Sequence, residues 1–149
     1  MLRPPPLRVQ VLPHGEGLDL PAYATPGSAG MDLRAAIAHT LQPMERFAIP
    51  TGLKVAIPEG WEGQIRPRSG LALRQGLGIP NAPGTIDADY RGELKVLLIN
   101  LGPEPIEITR GMRIAQMLIT PAPQCDIVVV EDLDDTERGE SGFGSTGTQ

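Results

Sequence analysis

The stretch "RFAIPTGLKVAIP" (46–58) decides the structural class of the chain. Its apolar residues are mainly Val, Ile and Leu, and Pro and Gly interrupt it, which is typical of short β-strands. Other stretches share this composition, and Gly or Pro marks nearly every boundary between them. They are "RVQVLP" (8–13), "EGQIRP" (62–67), "ELKVLLINL" (93–101), "IEITRG" (106–111), "RIAQMLITP" (113–121) and "DIVVVEDL" (126–133).

This series of short strands, without amphipathic helices between them, predicts an all-β sandwich or barrel. One short helix is predicted over "SGLALRQG" (69–76), with Ser69 as its N-cap and Gly76 near its C-cap. The strand at 126–133 follows the proline-bearing connector "TPAPQ". It could therefore pair with its own sheet or with the sheet edge of a neighbouring subunit.

The chain has 149 residues, enough for one domain with a core. Its 18 glycines and 16 prolines are spread along the sequence, which favours many turns over one disordered block. Cys125 has no internal partner, so it is interpreted as a small buried residue of a protein in a reducing compartment. The N-terminal prolines and the lack of a long apolar run argue against a secretion signal or a membrane span. We expect a cytoplasmic protein.

A net charge of −5 argues against nucleic acid as a partner, because nucleic-acid binding needs a basic surface. An anionic small molecule remains compatible with this charge, since local arginines matter more than the total. The candidate arginines are Arg68, Arg91, Arg113 and Arg138. His14 and His39 lack the neighbours of a zinc site, and no nucleophile motif is present.

Two stretches combine small residues with charge. In "AGMDLRA" (29–35), Asp32 is either a turn aspartate or a ligand for metal or phosphate. In "PRSGLA" (67–72), Arg68 and Ser69 precede Gly70, where backbone amides could meet a phosphate; a helix cap with a surface arginine is the alternative.

The stretch "PNAPGTIDADYRGEL" (80–94) is the richest in chemistry. Residues 81–84 predict a tight turn, and "TIDADY" alternates like a strand, which would place Asp87 and Asp89 on one face and Tyr90 on the other. Paired carboxylates can supply a general base. A polar face on an edge strand is the alternative.

Two further stretches contain polar groups suited to anions. Gln116 stands inside the apolar "RGMRIAQML" (110–118) and needs hydrogen-bond partners, by default from the backbone. The tail "RGESGFGSTG" (138–147) has the composition of a phosphate loop, with Arg138, Ser145 and Thr146 as donors. No predicted strand leads into it and no helix follows, so it is not an ordinary P-loop.

Taken together and in order, "AGMDLRA", "PRSGLA", "GTIDADYRGEL", "RIAQM" and "RGESGFGSTG" resemble the five motifs of the trimeric dUTPase family. The resemblance runs from about residue 8 to residue 147. It implies a distorted β jelly roll with a mobile C-terminal arm, and a homotrimer in which each site draws on three subunits. It also implies Mg²⁺-dependent hydrolysis of dUTP to dUMP and pyrophosphate, which sanitises the nucleotide pool and supplies dUMP for thymidylate synthesis.

The same resemblance implies a role for each matching residue. Asp87 would activate the attacking water, Tyr90 would pack against the deoxyribose, and Asp32 would organise the metal through water. The uracil-reading hairpin would comprise Asn81, Gly84, Thr85 and Ile86. Phosphate contacts would come from Arg68, Ser69, Gly70 and Gln116. In the tail, Phe143 would cover the uracil, and Arg138, Gly144, Ser145 and Thr146 would close on the phosphates.

The resemblance also implies a division into a catalytic jelly roll (1–133) and a glycine-rich lid (134–149). Ordering ten residues costs on the order of 10–20 kcal/mol, and only Phe143 in the tail offers much apolar burial in return. We therefore expect the tail to close only over a bound nucleotide.

Two alternatives remain at this stage. The deoxycytidine triphosphate deaminases are similar in fold and in the second and third motifs, but they carry a glutamate where this chain has Leu97. A nucleotide-binding module without turnover would not need both Asp87 and Asp32.

Overall fold

The computed structural model describes residues 3–147, and nearly all of their regular structure is β. The strands are β1 (Arg8–Val11), β2 (Met31–Arg34), β3 (His39–Leu41), β4 (Arg46–Ala56), β5 (Trp61–Arg66), β6 (Leu77–Gly78), β7 (Gly84–Ile86), β8 (Glu93–Asn100), β9 (Ile106–Ile108) and β10 (Arg113–Pro121). A 3₁₀ turn spans Pro13–Gly15, and one short helix, α1, spans Ser69–Gln75. The predicted all-β class is confirmed.

Two four-stranded antiparallel sheets form the body of the molecule. Their strand orders are β1-β4-β8-β6 and β2-β10-β5-β7, and β3 pairs with β9 as a separate ribbon. Neighbours in the sheets are often distant in sequence, as in β2 with β10, and this fits the predicted jelly roll. The strands predicted at 8–13, 46–58, 62–67, 93–101, 106–111 and 113–121 are all present.

Alternating apolar residues of the strands build the core. In β8, Leu94, Val96 and Leu98 have no exposed surface, whereas the residues between them are partly or fully exposed. Met117 of β10 and Leu33 of β2 meet them from the second sheet. The period of two along each strand thus gives one buried face and one face available for a site.

The helix differs from its prediction at one end. Arg68 occupies the N-cap with extended backbone and no side-chain cap, and Ser69 is the first helical residue, so the predicted Ser69 cap is wrong. Gly76 at the C-cap has a φ of 74°, as predicted, because the left-handed conformation favours glycine.

The strand predicted at 126–133 is absent from the described structure, where regular pairing ends at Pro121. Ile127 and Val129 are 88% and 94% exposed. A strand exists only where another strand accepts its backbone hydrogen bonds, and no strand of the described residues pairs with this segment. The sequence therefore indicated its β propensity correctly but not its state in one subunit.

The described residues contain no helix that is both long and apolar enough to span a membrane. The division at residue 133 remains a prediction. The outermost residues of the two predicted units, 1–2 and 148–149, lie outside the described part of the chain.

Candidate active site

Three neighbouring strands bring the second, first and fourth motifs together. Gln116 of β10 pairs in register with Asp32 of β2 on one side and with Arg66 of β5 on the other. The chain leaves β5 at Arg66 and enters α1 through Arg68. Antiparallel register therefore places Asp32, Gln116 and Arg68 at one end of this sheet.

The side chains at this end of the sheet surround a cleft of about 450 Å³, which we call the arginine cleft. Asp32 lies between two guanidinium groups: Arg68 Nε is 3.3 Å from Asp32 Oδ1, and Arg113 Nη1 is 3.4 Å from Asp32 Oδ2. Ser69, Gly70, Arg74 and Gln116 complete its polar lining. The sequence-predicted phosphate residues Arg68, Ser69, Gly70 and Gln116 thus share one cleft with Asp32.

Gln116 has the backbone partner expected for a polar side chain in an apolar strand. Its Nε2 donates a hydrogen bond of 3.0 Å to the carbonyl oxygen of Pro67. Gly30 lies against the Gln116 side chain so closely that a Cβ at Gly30 would clash with Oε1. The bond fixes the Gln116 side chain beside the turn that carries Arg68, and the Gln116 Oε1 atom faces Gly30.

The third motif, which the sequence predicts as the uracil-reading hairpin, forms one short strand between two turns rather than one continuous strand, and that strand pairs with β5. A turn over residues 79–83, with a cis peptide bond between Ala82 and Pro83, leads into the short strand β7, which ends at Ile86. The strand predicted over "TIDADY" therefore covers only its first two residues, and the same-face argument for Asp87 and Asp89 does not apply. A turn follows, closed by the hydrogen bond from the Tyr90 amide to the Asp87 carbonyl oxygen at 3.2 Å.

This turn and the start of β8 surround a second cleft of about 180 Å³, the hairpin cleft. Its lining residues are Thr85, Ile86, Asp87, Tyr90, Glu93 and Lys95. The Tyr90 hydroxyl donates a 2.9 Å hydrogen bond to the backbone carbonyl of Glu93, which fixes the ring at the cleft wall. Asn81 and Gly84 lie at the open end of the hairpin, where Asn81 Nδ2 sits beside Gly84.

The Asp87 side chain is exposed at the junction of the hairpin cleft with a wider groove beside Trp61. Among the described residues, no side chain or amide donates to its carboxylate. A carboxylate that accepts no protein hydrogen bond can accept one from a water, which is the contact that a general base requires.

Glu93, which lines the hairpin cleft, has a shifted pKa. Burial acts to raise the pKa of the Glu93 carboxyl, but hydrogen bonds from His14 and the Gly52 amide, with the charges of His14 and Lys95, lower the pKa below its ordinary value. The acidic group beside Tyr90 is therefore held as a carboxylate by its neighbours.

The tail residues lie apart from both clefts. Arg138 Nε donates a 2.7 Å hydrogen bond to the carbonyl of Ser141, within the tail itself. Phe143 is fully exposed, and Gly144, Ser145 and Thr146 are exposed as well. The isolated subunit thus does not bring the fifth motif to the other four.

The two clefts belong to different ends of the same sheet. In the β5–β7 pairing, Ile86 stands opposite Gly63, whereas Arg66 at the other end of β5 stands beside Gln116. The three residues from Gly63 to Arg66 span about 10 Å along β5. The two strand spacings from β10 through β5 to β7, of about 4.8 Å each, add to this separation. One subunit consequently holds the hairpin cleft and the arginine cleft apart from each other.

The donor set fits a magnesium ion that arrives with the triphosphate rather than a preformed metal cage. Among residues 3–147, no cluster of three or more His, Cys, Asp or Glu side chains could hold a metal. Asp32 alone offers carboxylate oxygens in the arginine cleft. Mg²⁺ commonly takes one or two carboxylates, several waters and substrate phosphates, so Asp32 suits contact through water.

Sequence reasoning missed Arg74, Glu93 and Lys95 as lining residues. The spacing of each residue along its helix or strand could have indicated its place in the cleft. Arg74 lies four residues after Gly70 in α1, and its guanidinium packs against Gly70. Glu93 and Lys95 share the uncovered face of β8 by the period of two.

The comparisons with known proteins agree with this geometry. A family model described as dUTPase matches residues 16–147. The chain is 58% identical over 147 residues to the deoxyuridine 5'-triphosphate nucleotidohydrolase of Rhizobium rhizogenes, covering 96% of this chain and 94% of the relative. It is 56% identical to the protein of the same name from Beijerinckia indica, over 97% of this chain and 93% of the relative.

Solved structures give the same result. A mutant dUTPase of Staphylococcus bacteriophage 80alpha with dUpNHpp superposes with a TM-score of 0.87 at 30% identity, over 96% of this chain and 99% of that one. A mutant dUTPase of phage phi11 of S. aureus, described with a structural Mg(II) ion, superposes with a TM-score of 0.80 at 26% identity, over 88% of this chain and 100% of that one. Fold, motifs and nearly full-length similarity lead to one conclusion: the chain belongs to the dUTPase family.

Proposed function

We propose that this dUTPase hydrolyses dUTP to dUMP and pyrophosphate by a water that Asp87 activates. The observation that carries the assignment is the exposed Asp87 carboxylate, which receives no hydrogen bond from residues 3–147 and borders the cleft that Tyr90 lines. Asp87 would accept a proton from the water as the water attacks phosphorus, and the pyrophosphate would leave on the opposite side.

The hairpin would select the base and the sugar. Uracil presents a fixed set of donors and acceptors, and the backbone around Gly84, Thr85 and Ile86, with Asn81, can match it. Cytosine would leave buried polar groups unpaired. The Tyr90 ring, held by its hydroxyl bond to Glu93, would pack against the deoxyribose and leave no room for a 2′-hydroxyl.

The arginine cleft would hold the phosphates. Arg68 and Arg113 each lie 3.3 to 3.4 Å from Asp32, so the cleft contains two positive groups around one negative group. Ser69, Gly70 and Gln116 add polar atoms to the same wall. A triphosphate that brings further negative charge would be stabilised by the surplus of positive charge.

Mg²⁺ is the metal of this reaction, and it would be held by phosphate oxygens with Asp32 in contact through water. When bound, it neutralises phosphate charge and thereby eases the departure of pyrophosphate. Asp32 itself would orient those waters while the flanking arginines hold its carboxylate in place.

A homotrimer would unite the two separate clefts. The hairpin of one subunit would face the arginine cleft of the next, and a tail would close over both. The exposed apolar segment 126–130 supports this assembly, because its β propensity lacks a partner strand within the subunit. The tail would supply Phe143 to the uracil, and Arg138, Gly144, Ser145 and Thr146 to the phosphates. Cys125 is exposed, so its interpretation as a buried residue is wrong, and its free thiol fits the cytoplasm as the compartment that we propose.

The test is product analysis with dUTP as substrate. The purified protein, dUTP and Mg²⁺ should yield dUMP and pyrophosphate, and excess EDTA should abolish the reaction until Mg²⁺ is restored. UTP, dCTP and dTTP serve as selectivity controls. Release of ammonia would indicate a deaminase instead, and tight binding of dUTP without products would indicate a binding module. A monomer in light scattering that still hydrolyses dUTP would refute the shared site.

A further inference from the structure

The Glu93 carboxylate fills a break in the central β4–β8 ladder. The register of this pairing shifts between Pro50 and Lys54 of β4, and Gly52 in the break has a φ of 72°. Its amide donates a 2.9 Å hydrogen bond to Glu93 Oε2. A β-bulge leaves one amide outside the regular ladder, and the Glu93 side chain satisfies that amide.

The 3₁₀ turn at Pro13–Gly15 holds the same carboxylate from the other side. His14 Nε2 lies 2.7 Å from Glu93 Oε2, and the Leu12 amide donates to the Gly52 carbonyl at 2.8 Å. Arg110 Nη2 donates to the carbonyl of His14 at 3.2 Å. The Glu93 side chain is 16% exposed and that of His14 is 44% exposed, so the carboxylate lies at the edge of the core with its partner reaching in from the surface.

The position of Tyr90 depends on the backbone that this carboxylate holds. The Tyr90 hydroxyl donates to the Glu93 carbonyl at 2.9 Å. The ring also covers Gly92 so closely that a Cβ there would clash with it. A movement of residues 92–93 would therefore move the Tyr90 ring with them.

From these contacts we infer that Glu93 is a positioning residue: its carboxylate, seated between Gly52 and His14, fixes Tyr90 and so sets the discrimination between deoxyribose and ribose. The inference rests on the proposed role of Tyr90 at the sugar. Glu93 acts on selectivity through the ring, without contacting the sugar's 2′ position.

The experiment compares dUTP with UTP in three variants of the full-length protein. Glu93→Ala removes both hydrogen bonds. Both bonds end on Glu93 Oε2, so Glu93→Gln retains an amide oxygen that can accept from the Gly52 amide and from His14 and loses only the charge. Glu45→Ala is the matched control, because Glu45 forms a similar pair with His39 at 2.6 Å and accepts from the Gln42 amide at 2.9 Å. That pair lies near Asn100, at the opposite end of β8 from Glu93.

The measured quantity is the ratio of kcat/KM for dUTP to kcat/KM for UTP, from pyrophosphate release. Glu93→Ala should lower this ratio about tenfold, since hydrogen bonds to a charged group contribute on that scale. Glu93→Gln should stay within about threefold of the wild type, because its amide oxygen can still accept both bonds and only the charge is lost. Glu45→Ala should leave the ratio unchanged.

An unchanged ratio in a folded Glu93→Ala variant would overturn the inference, as would an equal loss of selectivity in Glu45→Ala. If Glu93→Ala does not fold, Glu93→Asp takes its place, because its carboxylate is one methylene too short to reach both partners. A lowered ratio in that variant supports the inference and an unchanged one overturns it. A wild-type protein that fails to hydrolyse dUTP would refute the proposed function itself, which is a distinct result.

Discussion

Ending the chain after Glu137 removes the glycine-rich tail and tests its role as a lid. The hydrogen bonds of residues 138–147 stay within the tail segment: Arg138 bonds Ser141, Ser145 bonds Gly142, and Gly139 bonds the hydroxyl of Thr136. Phe143 buries nothing against the sheets, being fully exposed. The folded body therefore loses no packing when the tail is removed.

The expected effects on stability and on turnover differ in size. The free energy of unfolding should change by no more than about 0.5 kcal/mol, as for other changes to exposed surface. Turnover of dUTP should fall by about a hundredfold or more, the scale for losing donors that stabilise charge in the transition state. Ordering the tail costs about 1–2 kcal/mol per residue, so only bound nucleotide can offset that cost.

The assay pairs thermal denaturation of the truncated and full-length proteins with pyrophosphate release from dUTP and Mg²⁺. Arg138→Ala in the full-length chain is the companion variant, since it removes one cation and keeps the tail. Full activity after truncation would refute the lid. A large loss of melting temperature would refute the view that the tail is separate from the body.

Two further predictions concern single carboxylates. Asp87→Asn keeps the shape of the hairpin cleft but loses the base. Calorimetry should therefore show that dUTP still binds, while the rate of hydrolysis falls by roughly 10²–10⁴-fold. Turnover near the wild-type rate would contradict the role of Asp87. The pKa of Glu93 is lowered from an ordinary value of 4.5, so its contribution to stability is present above pH 4.5 and disappears as the pH falls below that value. The melting temperatures of the wild type and Glu93→Gln should therefore converge in acid, and a gap that stays constant between pH 7 and pH 3 would contradict this reasoning.

Local pattern was sufficient for most of the fold. Strands β4, β8 and β10 were predictable because runs of Val, Ile and Leu end at Gly or Pro. Burial alternates strictly in β8, and the alternation is broken at residues 51–53 of β4 and 114–115 of β10, where the register shifts. Segment 126–133 has the same composition but no strand beside it in the subunit. Composition reports the preference of a segment for pairing, and only the tertiary structure supplies the partner.

The sequence named residues that the fold brings together in one cleft, but it did not indicate how the two clefts are arranged. The motif resemblance named Asp32, Arg68 and Gln116, and the antiparallel register explains why they meet. Nothing in the sequence indicated that Asp87 and Arg68 lie at different ends of one sheet. Glu93 escaped notice because its function depends on a bulge at Gly52, 41 positions earlier in the chain.

The tail is joined to the body by a tether of about 16 residues between Pro121 and Arg138. The tether includes the segment 126–130 that we propose to pair in the assembly, and the tail stays covalently joined to the body through it. A covalently tethered group is present at its target at an effective concentration in the millimolar range. Closure of the proposed lid over a bound nucleotide would consequently be a first-order event, whose frequency does not change when the protein is diluted.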